Sequence, residues 1–545
     1  MASLIRIAWF LDESGESDMI AQLELSRQLL PSHRQNAAKQ LILEQGRIIF
    51  FRAQVYILLK YLILYGNDED NDVESKELQS IGSCLLSVTE LISSQVKERK
   101  SIQRNETQSL NALTHEIVTN SFILGKFSIP AVRLLMVRAR YMFKTIHLRL
   151  KNNSKAEIDF LDIDHFFQES VGIQLTEYLN FGTSLIVYFL QFLQKDSALQ
   201  EKGFPYIYPQ KLFEKSNVHR EKVNIFFDLL SITLSQAKTD LQASIALEHR
   251  REFIYDFLFM KSKPLVQFSS DFLIPFSIPF LFERITSGIF WQLLDHLNQN
   301  YDRTISDQFT RYHGRIFQEY VEEFIQEIHK QHPVEGERIV QEQTYRIGKQ
   351  EGKTSDIMIF GSDYAIFVEA SATRMQAKGT ISQGTRTAFD SDFKKMILHN
   401  AKSLDNFIKK FRSGSITIEG IESEKIAVYY PVIITMETFA GQNSIIHPFL
   451  KSTLESDKLF ANKDIAGLSV LEIDDIEYLE GYINATLISI LKSWHGQSND
   501  LLPKDHFKDH LKNFPEKDEL SKTLLLKITG AALDEATQFM FNKSS

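Results

Sequence analysis

The chain has 545 residues, too many for one ordinary hydrophobic core, so its length predicts two or three domains. A composition of 43% hydrophobic, 24% charged and 11% aromatic residues, with 41 Phe, excludes a disordered or fibrous protein. The formal net charge of -9 excludes wholesale electrostatic attraction to a polyanion, and the single cysteine, Cys84, excludes an internal disulfide or a cysteine-built zinc site.

The opening stretch, MASLIRIAWFLDESGE, turns acidic after a few apolar residues and lacks the basic flank and long apolar run of a secretory signal. With the lone cysteine, this predicts a cytoplasmic protein. Residues 1–300 show apolar spacing of three and four, few glycines and almost no alternation, which predicts an all-α region broken at 66–77, 97–106, 151–155 and 203–209. The segments QVYILLKYLILY, TSLIVYFLQFLQ and FLIPFSIPFLF are each interrupted by charge or proline before the roughly 18 residues a membrane span needs, so they read as buried helices. No membrane partner is expected.

Between Glu116 and Glu157 there is no acidic residue, and SIPAVRLLMVRARYMFKTIHLRLK reads as a helix opened by Ser128 and Pro130. Arg133, Arg140, Lys144, His147 and Lys151 recur along it at seven, four, three and four residues, which at about 100° per residue sets them on one face. That stripe is either a helix face paired with acidic neighbours such as the 66–77 loop, or a track for a phosphate backbone. The acidic runs DEDND (68–72) and DIDHF (162–166) lack the glycine and glutamate positions of a calcium loop and read as solvated turns.

From about residue 333, short β-rich runs, ERIVQEQTY, SDIMIF, AIFVEA and KIAVYYPVIIT, alternate with turns and one strong helix, predicting an α/β module over 301–496. GKQEGKT (348–354) is one residue short of a phosphate-binding loop and runs into a strand where that loop opens a helix. Beyond 496 the chain reads as a helical C-terminal appendage, 497–545, with His506 and His510 as surface histidines.

Chemistry concentrates in SDIMIFGSDYAIFVEAS (355–371). If this hairpin closes symmetrically about its Gly-Ser-Asp-Tyr turn, Phe360 faces Ala365, Ile357 faces Val368, and Asp356 falls opposite Glu369. Cross-strand Cβ atoms lie about 5 Å apart, where like charges repel. The pair therefore needs a counter-charge, either a divalent cation such as Mg2+ or Mn2+ or a side chain such as Lys353 or Arg346.

These residues resemble the restriction-endonuclease-like, PD-(D/E)XK nuclease superfamily over about 310–480. GRIFQEYVEEFI looks like its first core helix, SDIMIF its Asp strand, IFVEAS its Glu-x-Lys strand, HNAKSLDNFIKKF the following helix and KIAVYYPVIIT the next strand. The resemblance implies an α+β protein: a large all-α N-terminal region, an α/β restriction-endonuclease-like core and a helical tail. It implies a metal-dependent endonuclease, directed at DNA, whose ion is held by Asp356, Glu369 and the main-chain carbonyl of Ala370.

Two positions depart from the family pattern. Gln318 stands where many relatives carry a helix-borne acid, leaving Glu319 or Glu323 as substitutes, and the third position of Glu-x-Lys is Ser371, which cannot supply the lysine's charge. Either the cation is relocated, to Lys394 on the following helix or to Arg374 or Lys378 just past the Glu strand, or the core binds nucleic acid or a protein without cutting. Asn400, inside the apolar stripe of the following helix, needs a hydrogen-bond partner if buried. On the nuclease reading, Arg133, Arg140, Lys144 and Lys151 track the DNA backbone, and Arg374 and Lys378 add phosphate contacts. The architecture is reminiscent of bacterial anti-phage or restriction-type effectors, and it leaves a homo-oligomer or a partner protein open.

Overall fold

A computed structural model describes the chain from residue 19 to 541, apart from 67–77, 89–128, 154–159, 194–205, 247–255, 268–271, 377–385, 438–445, 516–523 and gaps of one to three residues elsewhere, and before that only Leu4 and Ile7. The chain is α+β.

The helical reading of the first 300 residues holds for most of them. Helix α1 (Arg52–Tyr65) carries the first apolar segment, and Val55, Tyr56, Ile57 and Leu59 are buried. Helix α2 (Ile129–Arg140) runs through a π turn, Tyr141–Ile146, into α3 (His147–Asn153). Helix α4 (Ile163–Val171) stops at Gly172, whose φ of 88° suits glycine. Helix α5 (Leu175–Leu193) carries the second apolar segment. Among the described residues no helix is long and apolar enough to cross a membrane.

The third apolar segment departs from the helical expectation. A small sheet of β1 (Ser231–Thr233), β2 (Leu265–Gln267) and β3 (Leu273–Pro275) pairs β1 with β2 in parallel and β2 with β3 antiparallel. Proline punctuates FLIPFSIPFLF: Pro275 favours extended backbone before it, while Ser277, whose Oγ accepts from Phe280 N–H, and Pro279 open α6 (Ile278–Ile285). Helices α7 (Gly288–Asn300) and α8 (Arg303–Gln331) follow, and α8 buries Phe309, Tyr312, Ile316, Tyr320 and Phe324 at helical spacing.

The second sheet has five strands. They are β4 (Arg338–Gln341), β7 (Ile357–Phe360), β8 (Tyr364–Ser371), β9 (Val428–Thr435) and β10 (Ser469–Glu472), in the order β10-β9-β8-β7-β4. β5 (Thr344–Ile347) and β6 (Gln350–Lys353) form a two-stranded arm between β4 and β7. β4, β7 and β8 are antiparallel, and β8, β9 and β10 are parallel. The β8–β9 crossover carries α9 (Arg386–Phe393), a π turn (Lys394–Leu398) and α10 (His399–Arg412). After β10 come α11 (Ile473–Leu479), α12 (Leu487–His495) and α13 (Leu524–Phe541).

Both sheet faces are covered, which explains the near-continuous apolar runs of β7 and β8. Ile357, Ile359, Ile366, Val368, Val432 and Ile434 join the core of α8 and the helical region, while Met358, Phe360, Phe367, Tyr429 and Ile433 pack with α10. The first core runs unbroken from α1 through α8 into the sheet, so residue 301 marks a change of element type within continuous packing. Nor does the C-terminal segment hang free. α13 packs against α2 and α5, burying Ala532 and Ala536 and setting Phe539 edge-on to Phe181 at 5.1 Å between ring centroids.

Candidate active site

The hairpin register read from the apolar pattern is the observed one: Ile357 pairs with Val368 and Phe360 with Ala365. One step further along the ladder sets Asp356 beside Glu369. The carboxylate Oδ2 of Asp356 accepts the Ala370 N–H at 2.7 Å, across the two strands. A strand residue turns its N–H and C=O to the same edge, so the Ala370 carbonyl faces this side as well.

The sequence reads ERIVQEQTY as a β-rich run but does not bring it, or Glu342, to this pair. Gln341 pairs with Ile357, yet two residues on Gln343 is tied to Thr354, through Thr354 N–H to the Gln343 carbonyl at 2.9 Å and Gln343 N–H to Thr354 Oγ1 at 2.8 Å. One residue, Glu342, therefore stands opposite two, Ser355 and Asp356, which is a β-bulge. Val340, Met358 and Phe367 form a cross-strand row on the α10 face. By alternation, Glu342, Asp356 and Glu369 form the next row on that face, three carboxylates on three adjacent strands.

The electrostatics follow. Burial raises the Asp356 carboxyl to about 6; the Ala370 N–H, Lys353 and Arg315 pull against this and Glu342 adds to it. Burial, then the charges of Asp356 and Glu342, push Glu369 well above the ordinary carboxylate range, with Lys353 opposing. The Lys353 ammonium lies 3.1 Å from Glu342. Two buried hydroxyl oxygens beside the row, Ser355 Oγ and Ser371 Oγ, have no hydrogen-bond partner. An all-oxygen donor set with excess negative charge and unsatisfied hydroxyls fits a hard divalent cation.

The cations reaching this row correct the sequence expectation. Lys394 is exposed on its π turn and is not among the leading charges that shift either carboxyl. Arg374 is buried elsewhere: it pairs with Glu437 at 3.1 Å, donates to the Ser287 carbonyl at 3.3 Å and lies 4.6 Å from the Phe290 ring centroid, because the chain past β8 turns towards α7. Burial lowers its pKa despite Glu437. An arginine so enclosed contacts neither phosphate nor the carboxylate row. Lys378 lies outside the described residues. Glu319 pairs with Arg315 at 2.7 Å and Arg149 at 3.1 Å, and Glu323 with Arg149 and the Tyr141 hydroxyl, so both acids are neutralised on α8. Asn400 donates to the Met396 carbonyl at 2.9 Å, a local helix contact. Lys353 and Arg315 are the cations that sequence reasoning did not assign to catalysis. Lys353 had stood there only as an alternative counter-charge.

The basic stripe of α2 and α3 is also corrected. Arg140, 4% exposed, donates to Asn180 at 2.9 Å and Thr183 at 3.0 Å and pairs with Glu535 of α13, which Lys144 pairs with too. His147 is fully buried, and Lys151 pairs with Asp162 at 2.8 Å. The Arg133 side chain lies outside the described residues. Arg140 and Lys144 meet α13, and His147 and Lys151 meet the start of α4. The charges of Arg140, Lys144 and Lys151 meet acids within the chain. Arg138 belongs to the same system: both its Nε and an NH2 bond Glu477 of α11, at 2.9 and 2.7 Å, and the Tyr320 hydroxyl donates to Glu477 at 2.6 Å.

Comparison with protein-family models, with curated proteins and with solved structures finds no match. The chemical reading therefore rests on the carboxylate row itself.

Proposed function

We propose that the chain is a divalent-metal-dependent nuclease hydrolysing phosphodiester bonds in DNA, with a core of the restriction-endonuclease-like PD-(D/E)XK type. The observation carrying this is the row of Glu342, Asp356 and Glu369, half-buried at a β-bulge with less positive than negative charge acting on it. Like charges assembled at that cost need a ligand.

Asp356 and Glu369, with the Ala370 carbonyl, would hold Mg2+ or Mn2+, which when bound supplies Lewis-acid polarisation of the phosphodiester and a more acidic water. The Ala370 N–H fixes one Asp356 oxygen, leaving the other for the ligand. Lys353 takes the orienting role that Ser371 cannot fill: its ammonium, held by Glu342, donates to the attacking water and to a phosphate oxygen. Glu342 also accepts from that ammonium, keeping it at the mouth of the row.

Purified protein should nick supercoiled plasmid with Mg2+ or Mn2+ and not with EDTA, and Asp356→Ala should not nick it. A parallel RNA substrate tests the choice of DNA. Ser371 at the lysine position favours a second reading, a binding module that has lost cleavage; metal-independent DNA binding by a protein that never nicks would select it and sink the nuclease.

A further inference from the structure

We propose that His147, Asp162 and Asp164 form a binding site for a first-row transition-metal ion, of which Zn2+ fits best, independent of the carboxylate row and outside the sheet. The sequence reads DIDHF as a solvated turn, because it lacks the glycine and glutamate of a calcium loop, and His147 lies well before it in the chain. Folding brings them together: His147 opens α3, Asp162 is the N-cap residue of α4 and Asp164 lies in its first turn.

The geometry suits one ion. His147 Nε2 is 3.4 Å from Asp164 Oδ2 and 3.9 Å from Asp162 Oδ1, and all three ligand atoms lie within 4.8 Å of one another. Ligand atoms bound about 2.1 Å from a common ion stand roughly 3 to 4.2 Å apart, so a small adjustment of the half-buried aspartates completes the set. The imidazole, by contrast, is fully buried, ring-parallel to Phe160 at 6.0 Å and edge-on to Tyr312. It has little freedom to move.

The unpartnered atoms point to a ligand. His147 Nε2 and Asp162 Oδ1 are both buried and have no hydrogen-bond partner. At 3.4 Å the His147–Asp164 contact is longer than an N–H···O bond, which lies near 2.7–3.2 Å. The other ring nitrogen, Nδ1, lies 2.8 Å from the Tyr312 hydroxyl of α8. If Nδ1 carries the proton and donates to Tyr312, Nε2 presents a lone pair to two carboxylates, an arrangement that repels without a cation and that orients ligating histidines in metal sites. Imidazole with two carboxylates, and no sulfur, selects a first-row ion over Ca2+, and water would complete the four-coordinate shell. Lys151 is the rival: its ammonium lies 2.8 Å from Asp162 Oδ2, on the oxygen not aimed at His147, and 4.0 Å from Asp164.

The test uses the full chain in a Glu369→Gln background, which silences the carboxylate row, titrated with Co2+ as a coloured stand-in for Zn2+. One equivalent should bind with visible d–d absorption and be displaced by Zn2+. Asp164→Asn should weaken binding at least tenfold while far-UV circular dichroism is unchanged. Lys151→Met should tighten it several-fold by removing the competing ammonium, an effect that a simple His147–carboxylate ion pair cannot produce. Absence of Co2+ uptake, or affinity unmoved in Asp164→Asn, would overturn the site; should Asp164→Asn fail to fold, unchanged affinity in Lys151→Met would do so instead.

Discussion

Two regions of this molecule bury charge, and they do it in opposite ways. Along α2 and α3 the buried or half-buried cations meet acids: Arg138 meets Glu477 and Asp474, Arg140 and Lys144 meet Glu535, and Arg149 meets Glu319 and Glu323. At β4, β7 and β8 three carboxylates share one edge, where Lys353 opposes them and Arg315, itself paired with Glu319, adds a smaller opposition at Asp356. With Arg315 on Glu319, five cations meet five acids along the helices, a balanced burial that ties α2 to α8, α11 and α13 and leaves no net charge for a ligand to satisfy. Unbalanced burial stores repulsion that a bound cation would relieve, which is why the function is proposed at that edge.

The largest expected effect breaks the row. Asp356→Asn or Glu369→Gln should lower Mg2+-dependent cleavage by on the order of 10³-fold or more, about 4 kcal/mol of barrier, while the metal-free melting temperature stays level or rises because a buried charge has gone. A marked fall in that temperature would make the pair a structural element. Arg138→Met breaks the balanced region instead. It strands Glu477 without its main partner and should cost about 3–5 kcal/mol in chemical denaturation, with cleavage per folded molecule unchanged. An unaltered unfolding midpoint would mean that the two regions do not differ as described.

What was legible in the sequence follows the same division. The register of β7 and β8 could be read because four apolar residues on each side of a short turn admit one symmetric closure, and a slip would move every side chain to the opposite face and its other core. Glu342 could not: ERIVQEQTY reads as one strand, and a bulge adds a residue without disturbing the apolar pattern around it. The helix periodicity gave Arg140 and Lys144 the right face but not its covering, since Glu535 stands nearly four hundred residues further on. His147 and Asp164 were each visible, but only α3 packing beside α4 makes them neighbours. Local pattern reports direction along an element. What lies in that direction is decided by packing over long sequence separation.

Lys60 sharpens the comparison inside the helical region, because there burial outweighs the acid beside it. It is fully buried on α1, 3.9 Å from the Phe257 ring centroid, and burial lowers its pKa to about 7 against the partial opposition of Asp256. The folded chain thus gives up this proton near pH 7 and the unfolded chain only near 10.5. Between those values the unfolded state binds more protons, so this residue makes stability rise with pH, by at most about 1.4 kcal/mol per unit. Lys60→Met should therefore be more stable than wild type at pH 6 to 7, by a few kcal/mol, with the difference shrinking towards pH 10. Urea midpoints across that range check it; a gap independent of pH would assign the gain to packing alone.

The smallest expected effect separates two lysines that the sequence ranks one way and the structure the other. Lys394 flanks the apolar stripe of the following helix, yet it is exposed on the π turn and is not among the leading charges that shift the carboxyls. Lys353 ends the β5–β6 arm, and its charge reaches both Asp356 and Glu369. Its side chain is 69% exposed, so solvent screens it and its worth in stability is small. Its value would appear in the transition state, where negative charge grows at the phosphate. Lys353→Met should lower kcat by about tenfold to a hundredfold, roughly 1.4–2.7 kcal/mol, with KM and melting temperature little changed, and Lys353→Arg should restore part of it. Lys394→Met should leave kcat where it was. If the two variants exchange these outcomes, the relocated cation comes from the helix after all, and the Lys353–Glu342 pair joins the balanced, structural class.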